Sequence, residues 1–198
     1  MLLIQDFHAP IADSIALIEV DGLVRGARLA DDLLKAASTR VLLSQVYSGP
    51  RHLVLFDGGV EALKLAFDAA LAVGGDRLID ALFLAHAHPS LIAALGGSFG
   101  EPERPDEAIL LVENETVAAS LRAIDAALKT APVILSSWRL GRGVAGRGLF
   151  ALRGEHANLL AAEAAVIDAA GAFLLETQLI PRPDPLGPWA QPFGRDLL

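Results

Sequence analysis

The second half of the chain resembles the first half, residue by residue. The segment IALIEVDGLVRGARLADDLLKAA, which starts at Ile15, aligns with ILLVENETVAASLRAIDAALKTA at a spacing of 94 residues. The shared apolar positions recur every three or four residues, which is typical of one face of an amphipathic helix. Polar positions match too, because Asp31 aligns with Asp125 and Lys35 with Lys129. A duplicated folding unit therefore constrains this fold more than any other feature.

The resemblance continues along both copies with small changes in spacing. VLLS from Val41 aligns with VILS from Val133 at a spacing of 92, and LVLFDGGVEALKLAF from Leu53 aligns with LFALRGEHANLLAAE at a spacing of 96. The change from 92 to 96 predicts four extra residues in the second copy. They fall at the glycine-rich stretch GRGVAG, residues 141–146.

Each copy predicts the same order of elements, βαββαβ. Short apolar runs that end in turn residues are typical of strands, and the longer Ala/Leu-rich runs are typical of helices. The order predicts an α+β fold of two tandem ferredoxin-like domains, each a mostly antiparallel four-stranded sheet with helices. The predicted strands lie at about 14–20, 40–46, 52–57, 78–86, 108–113, 133–140, 148–153 and 172–180, and the helices at about 22–37, 59–73, 115–130 and 155–170. Asp21 and Asn114 are predicted to cap the first helix of each copy.

The domain boundaries follow from the same alignment. We expect an N-terminal extension (1–13), a first domain (14–95), a polar Gly/Pro linker (96–107), a second domain (108–187) and a C-terminal tail (188–198). The segment after Ile180 is rich in proline and is expected to be extended rather than helical. We expect Trp189 and Phe193 in this segment to dock on a surface.

Composition excludes several classes of protein. The net charge is −8, whereas a nucleic-acid-binding protein needs clustered cations to displace phosphate counterions. There is no cysteine, which excludes disulfides, thiolate metal sites, cysteine-held clusters and cysteine nucleophiles. No apolar run reaches the roughly 20 residues of a membrane helix, and MLLIQDFHAP is a poor signal peptide. We therefore expect a soluble cytoplasmic protein without nucleic-acid or membrane partners.

The stretch GRGVAG matches the dinucleotide-binding pattern G-x-G-x-x-G. That fingerprint needs a helix directly after it, because the helix N-terminus binds the pyrophosphate. Here the next residues, RGLFALRG, are typical of a strand, and the equivalent loop of copy one is YSGPRH. We interpret GRGVAG as a hairpin loop and expect no cofactor.

Two groups of residues are of types that are common in catalytic sites. Ser48, His52 and Asp57 lie close in sequence, but strand alternation places His52 and Asp57 on opposite faces, and a triad depends on geometry rather than proximity. Glu19 and Glu113 are repeat-equivalent carboxylates that end the first strands. We interpret them as bracing the same junction twice, rather than as an acid–base pair.

His86 and His88 share one side of a strand end. Two imidazoles do not complete a zinc site, which uses three or four protein ligands. Copy two has Arg182 and Asp184 at these positions. We therefore assign no catalytic, cofactor-binding or metal-binding residue and expect the protein not to be an enzyme.

These segments resemble the bacterial microcompartment (BMC) shell domain. SIALIEVDGLVRGARLADDLLKAA and AILLVENETVAASLRAIDAALKTA are similar to its opening strand and Ala-rich helix with a late lysine. FDGGVEALKLAFDAA and LRGEHANLLAAEAA are similar to its second helix entry, and LIPRPDPL is similar to its closing motif. The chain is similar to the tandem-domain, unpermuted kind, because each copy begins with the L-I-E-like strand.

The resemblance implies a structural shell protein that forms a homotrimer, in which six domains make a pseudohexameric tile. Such tiles join other shell proteins of the microcompartment, and small metabolites cross a central pore. The implied pore residues are Tyr47, Ser48, Gly49, Pro50, Gly143, Val144, Ala145 and Gly146. The implied tile-edge contacts are Lys35, Lys129 and Arg182. Copy one has AHAHP where the family has P-R-P, so His86 replaces the arginine.

A second hypothesis remains open from the residues alone. Tandem ferredoxin-like domains can bind ligands at their interfaces, so a small-molecule-binding regulatory protein is the alternative.

Overall fold

The structure is a computed structural model, and it describes residues 10–47, 49–101, 107–184 and 193. The chain divides into two compact units, Met1–Ala87 (unit 1) and His88–Leu198 (unit 2). Each unit contains a four-stranded sheet with helices.

Unit 1 contains a single antiparallel sheet in the order β2-β3-β1-β4. Its elements are β1 (Ile15–Asp21), α1 (Leu23–Ala36), β2 (Arg40–Val46), β3 (Arg51–Asp57), α2 (Val60–Gly74) and β4 (Leu78–Leu84), with a 3-10 turn at Gly75–Arg77. Alternate residues of the central strand, Ala16, Ile18 and Val20, are completely buried in the core with residues of both helices. This alternation is what a period of two gives a strand that lies under helices.

Unit 2 repeats the arrangement, with the sheet order β6-β7-β5-β8. Its elements are α3 (Pro89–Leu95), β5 (Ala108–Asn114), α4 (Val117–Thr130), β6 (Ile134–Leu140), β7 (Gly148–Gly154), α5 (His156–Ala170) and β8 (Leu174–Ile180), with a 3-10 turn at Gly171–Phe173. The predicted α+β fold of two βαββαβ repeats is confirmed, and the predicted strands and helices coincide closely with the observed ones.

The short helix α3 was not predicted. It has seven residues, too few to show a helical period, and it starts at Pro89, where the missing N–H costs nothing. The ring of His88 caps it by accepting a hydrogen bond from the Ser90 N–H (3.2 Å). Residues 88–95 lie in unit 2, whereas the predicted first domain extends to residue 95. The domain boundaries stay a prediction.

The predicted helix caps were wrong. Asp21 and Asn114 are the last residues of β1 and β5, and the caps lie one and two residues further on. Gly22 caps α1 without a side-chain hydrogen bond, and Thr116 Oγ1 accepts from the Ala119 N–H (3.1 Å) at the start of α4. In the described part of the chain, no helix combines the length and hydropathy needed to cross a membrane.

The strand register corrects the alignment of the repeats. Val41 pairs with Phe56, and Leu135 pairs with Leu152, so β2 and β6 correspond at a spacing of 94 rather than 92. The second copy therefore has two extra residues at this loop, not four, and its third strand also begins one residue later. A slip of two residues keeps every side chain on its original face, so the apolar pattern alone does not detect it.

At one equivalent contact between helix and strand, the glycine lies on the helix in one unit and on the strand in the other. A Cβ added to Gly26 in α1 would lie 2.1 Å from Cγ of His52, a buried β3 residue. At the equivalent place in unit 2, a Cβ added to Gly148 in β7 would lie 2.1 Å from Oγ of Ser120 in α4. Unit 1 thus has the small residue on the helix and unit 2 has it on the strand.

We predict that Gly26→Ala lowers the free energy of unfolding by about 1–3 kcal/mol, because the new methyl group overlaps the packed His52 ring. In a His52→Gly background the same change is expected to be neutral or stabilising, since alanine favours the helix by about 0.5–1 kcal/mol over glycine. Urea unfolding of the four proteins measures this coupling.

The control is Gly74→Ala in α2, where an added Cβ has its nearest neighbour at 3.4 Å. It is expected to leave stability unchanged or raised. Equal effects of Gly26→Ala with and without His52 would contradict the packing account.

Candidate functional site

In unit 1, a loop of four residues (47–50) joins β2 to β3. Gly49 has a φ of +82°, a conformation that glycine adopts without steric cost. The Pro50 carbonyl accepts a hydrogen bond from the Gly22 N–H (2.6 Å), and the Tyr47 N–H donates to the Arg51 carbonyl (3.2 Å). The loop is therefore attached to the start of α1. Gly49 and Pro50 are exposed, and Ser48 lies outside the described residues.

In unit 2, a longer loop (residues 141–147) joins β6 to β7. Its backbone closes on itself, because the Gly146 N–H donates to the Gly141 carbonyl (3.0 Å) and the Gly141 N–H donates to the Arg147 carbonyl (2.8 Å). Gly141, Gly143 and Gly146 all have positive φ. A strand follows, and no helix begins until His156, so the hairpin interpretation of GRGVAG is confirmed.

Ala145 is also in the left-handed region, with a φ of +55°. This conformation costs a non-glycine residue roughly 1–2 kcal/mol. The five hairpin residues from Arg142 to Gly146 form a continuous turn, and the closing hydrogen bonds of the hairpin hold Ala145 in this conformation. Gly143 and Ala145 are exposed and Val144 is partly exposed, so the tip of the loop presents small side chains.

The two repeat-equivalent glutamates each hold one end of a loop. In unit 1 the Tyr47 hydroxyl donates to Glu19 Oε2 (2.6 Å), and Glu19 is completely buried. In unit 2 the Arg147 guanidinium forms an ion pair with Glu113, and both side chains are partly exposed. Both carboxylates thus hold the loop between the second and third strands of their unit, whereas the predicted bracing at the end of the first strand stays a prediction. The partner differs: it is a phenol at the start of the first loop and a guanidinium at the end of the second.

The position of Tyr47 limits its role in a pore. Its side chain is only 6% exposed. Burial raises the pKa of the Tyr47 phenol, and the neighbouring Glu19 carboxylate raises it further. The phenol therefore stays protonated and donates its hydrogen bond inward. The Tyr47 side chain is therefore turned away from solvent.

Two residues of the suspected triad, His52 and Asp57, contact other side chains, and Ser48 lies outside the described residues. His52 Nε2 lies 2.8 Å from Ser44 Oγ, and Asp57 accepts from the Arg40 guanidinium (Nε to Oδ1, 3.0 Å). Burial lowers the pKa of His52, which favours its neutral form. His52 and Asp57 also lie five residues apart along β3, about 17 Å at the usual strand rise.

The two histidines of the AHAHP stretch have separate structural roles. His86 Nδ1 lies 3.3 Å from Asp13 Oδ2, and this contact lowers the pKa of Asp13. His88 caps α3. Within the described ranges, no group of three or more His, Asp or Glu side chains is arranged to hold a metal ion.

The predicted edge residues all lie on the surface. Lys35 pairs with Asp31, and Lys129 pairs with Asp125 (Nζ to Oδ2, 2.6 Å), four residues earlier in each helix. Arg182 is exposed and borders a cavity of about 410 Å³ together with Glu107, Glu155 and His156. The recurrence of the Lys–Asp pair in both units was visible in the sequence, although its geometry was not.

Phe193 of the C-terminal tail docks on unit 2. It borders a cavity of about 190 Å³ with Glu113, Leu149 and Glu176, and its carbonyl accepts from Arg139 Nε (3.2 Å). The expected docking of Phe193 is confirmed, and Trp189 lies outside the described residues.

Comparison with known proteins identifies the repeated unit. The model of the BMC domain family matches residues 14–87 and again residues 108–183. The chain belongs to this family of bacterial microcompartment shell proteins. Both matches begin at the first strand of a unit, in the unpermuted order.

Individual BMC proteins match the chain over shares that range from 30% to 87% of its length. The bacterial microcompartment shell protein PduT of Citrobacter freundii is 27% identical over 175 residues, 87% of this chain and 94% of PduT. EutK of Salmonella typhimurium is 38% identical over 60 residues, 30% of this chain and 37% of EutK. A microcompartment protein of Desulfitobacterium hafniense has a similar crystal structure, with a TM-score of 0.72 and 29% identity over 86% of this chain and 95% of that one.

A fused, permuted hexameric shell protein from the RMM microcompartment, MSM0275, also matches. Its TM-score is 0.62, with 26% identity over 83% of this chain and 84% of that one. These relatives establish a structural role in a microcompartment shell for this BMC protein. They do not favour the alternative of a small-molecule-binding regulator.

The two contacts that hold the loops, Tyr47 with Glu19 and Arg147 with Glu113, are predicted to differ in their contribution to stability. Tyr47→Phe removes a donor from a buried carboxylate and is expected to lower the free energy of unfolding by about 1.5–3 kcal/mol. Arg147→Gln breaks an exposed ion pair and is expected to cost less than about 1 kcal/mol. Urea unfolding monitored by circular dichroism measures both. A Tyr47→Phe variant as stable as the wild type would show that the phenol does not hold the loop.

Proposed function

We infer that this BMC protein forms a homotrimeric tile in which six BMC domains surround a central pore. The observation that carries this proposal is the duplication itself. Two domains of one fold each present a loop at the same position, after β2 and after β6, and each loop is tied to the same glutamate position. A three-fold axis would bring three copies of each loop around one opening.

The composition of the loops supports a narrow opening for small solutes. Glycine, proline, alanine and valine let backbones approach closely. Gly49, Pro50, Gly143, Val144 and Ala145 would line the opening, with the Ser48 hydroxyl and the backbone of Tyr47 beside them. Gly146 is buried and would shape the second loop from behind.

Charge near the loops supports a preference for small polar or anionic metabolites. Arg142 is exposed at the tip of the second loop, and Arg147, at its end, pairs with Glu113. Three copies of Arg142 around one axis would attract anions even though the whole chain carries a charge of −8.

The tile edges would be formed by Lys35, Lys129 and Arg182, which contact neighbouring tiles and other shell proteins. The two lysines are held in place by the aspartates one helical turn before them. No catalytic activity belongs to this proposal, because the titratable side chains beside the loops, Glu19 and Glu113, are used to hold the loops.

Native mass spectrometry is expected to give an assembly of three 20.8 kDa chains. Electron microscopy of concentrated protein is expected to show flat sheets. A dimer whose melting temperature rises with a single metabolite would instead support a ligand-binding regulator.

Solute flux tests the pore. Ser48→Phe and Val144→Phe place a large ring on each loop and are expected to reduce entry of a small polar substrate into assembled shells at least several-fold. The readout is turnover by an enzyme enclosed in the shell. The control is Leu160→Phe on the exposed face of α5. Unchanged flux in both loop variants would show that these loops do not line the passage.

A further inference from the structure

The first helices of the two units match in sequence but differ in exposure. Along one face, α1 is exposed where α4 is buried. The exposed positions are Leu23, Val24, Ala27, Asp31 and Leu34 in α1, and their buried equivalents are Val117, Ala118, Leu121, Asp125 and Leu128 in α4. The contrast is largest at Val24, which is 85% exposed, against 0% for Ala118. We call these five α1 positions the α1 face.

An apolar helical face of this kind needs a cover. Leu23, Val24 and Leu34 are large apolar side chains on a helix whose opposite side already packs in the core of unit 1. Contiguous exposed apolar surface on a monomer usually marks an interaction site. The beginning of the face also borders an open cavity of about 780 Å³, lined by Leu23, Val24 and Ala72 among others.

Unit 2 shows what lies on such a face. The turn at His88 and helix α3 pack against α4. The His88 N–H donates to Asp125 Oδ1 (2.7 Å), and Lys129 pairs with the same carboxylate. The Asp125 side chain is only 7% exposed.

The same acidic residue in unit 1 is exposed. Asp31 pairs with Lys35, as Asp125 does with Lys129, but its side chain is 59% exposed. A carboxylate that holds a backbone N–H in one copy is therefore presented to solvent in the other.

The repeat identifies the segment that would cover the α1 face. Leu84 pairs with Ile15, and Ile180 pairs with Ile109, so the strand ends correspond at a spacing of 96. At this spacing, His88 corresponds to Asp184, just after β8. The segment of residues 182–184 is thus the equivalent of the turn that lies on α4.

We propose that a second copy of this chain covers the α1 face with the segment that follows its β8. In this contact the Asp31 carboxylate accepts a hydrogen bond from the Asp184 N–H of that copy, as Asp125 accepts from the His88 N–H. The cover comes from another copy because the face is exposed in the single chain. The α1 face and the segment after β8 are the repeat equivalents of α4 and the turn at His88, which already pack together within one chain. This inference rests on the proposed tile, and it names the contact that closes it. The contact is head-to-tail, and with the three-fold closure of the proposed tile it links the copies into a ring.

Disulfide cross-linking tests the contact directly, because the natural chain has no cysteine. Asp31→Cys and Asp184→Cys are made as separate variants, and the two proteins are mixed and oxidised. Both side chains are exposed, so neither change disturbs a core. A disulfide needs Cα atoms within about 7 Å. The expected product is a covalent dimer of one chain of each variant on a non-reducing gel.

The chain carrying both substitutions is expected to give a ladder that ends at three linked chains. The matched geometric control is the chain carrying His88→Cys and Asp125→Cys, which should form a disulfide within one chain and run as a monomer. Mixtures of either single variant with the wild type should give no heterodimer.

A second variant tests the apolar part of the α1 face. Val24→Asp is expected to shift the native mass from three chains to one, while Leu65→Asp on α2, where Leu65 is 64% exposed, should remain trimeric. A wild-type trimer that gives no Asp31–Asp184 cross-link overturns this contact but leaves the tile intact. A monodisperse monomer overturns both proposals. A trimeric Val24→Asp variant, or a cross-link within one chain, overturns the contact alone.

Discussion

The central strand of each sheet is the element on which the rest depends. β1 pairs antiparallel with both β3 and β4, and β5 pairs in the same way with β7 and β8. One side of β1 packs under the helices through Ala16, Ile18 and Val20. Its alternation then places Glu19 on the opposite side, near the strand end. The same pairing therefore fixes the core and positions the Glu19 carboxylate, which holds the loop between β2 and β3.

Much of the fold could be predicted because the pattern occurs twice. Each copy checks the other, and a buried strand or an amphipathic helix is less ambiguous when its periodicity recurs at a constant spacing. The loops were harder to predict from the sequence. The two-residue slip between β2 and β6 left every face unchanged, so the alignment was wrong where it mattered for the loop length. Helix α3 was too short for a period to appear, and the caps at Gly22 and Thr116 lay beyond the residues expected.

The positions of the two loops could be predicted, but the contacts that hold them could be predicted only in part. The sequence indicated that Glu19 and Glu113 support one junction in each copy, but their partners do not match each other. Tyr47 is the first residue of its loop and Arg147 is the last residue of the other loop, so no alignment pairs them. The burial of the Tyr47 side chain depends on the packing of the sheet and could not be derived from its neighbours in sequence. The lysine–aspartate pairs were simpler, because a spacing of four residues in a helix places two side chains together.

The contact of Gly26 with His52 in unit 1, and of Gly148 with Ser120 in unit 2, has a consequence for how a duplicated chain folds. Two similar halves can pair wrongly, with a helix of one copy laid on the sheet of the other. Here α4 on the first sheet would drive Ser120 into His52, and α1 on the second sheet would leave a void between Gly26 and Gly148. We expect both hybrids to be less stable than the correct pairings, one through overlap and one through empty volume. Divergence of the two copies at this contact is therefore expected to disfavour crossed helix–sheet pairing during folding, while both halves keep the same fold.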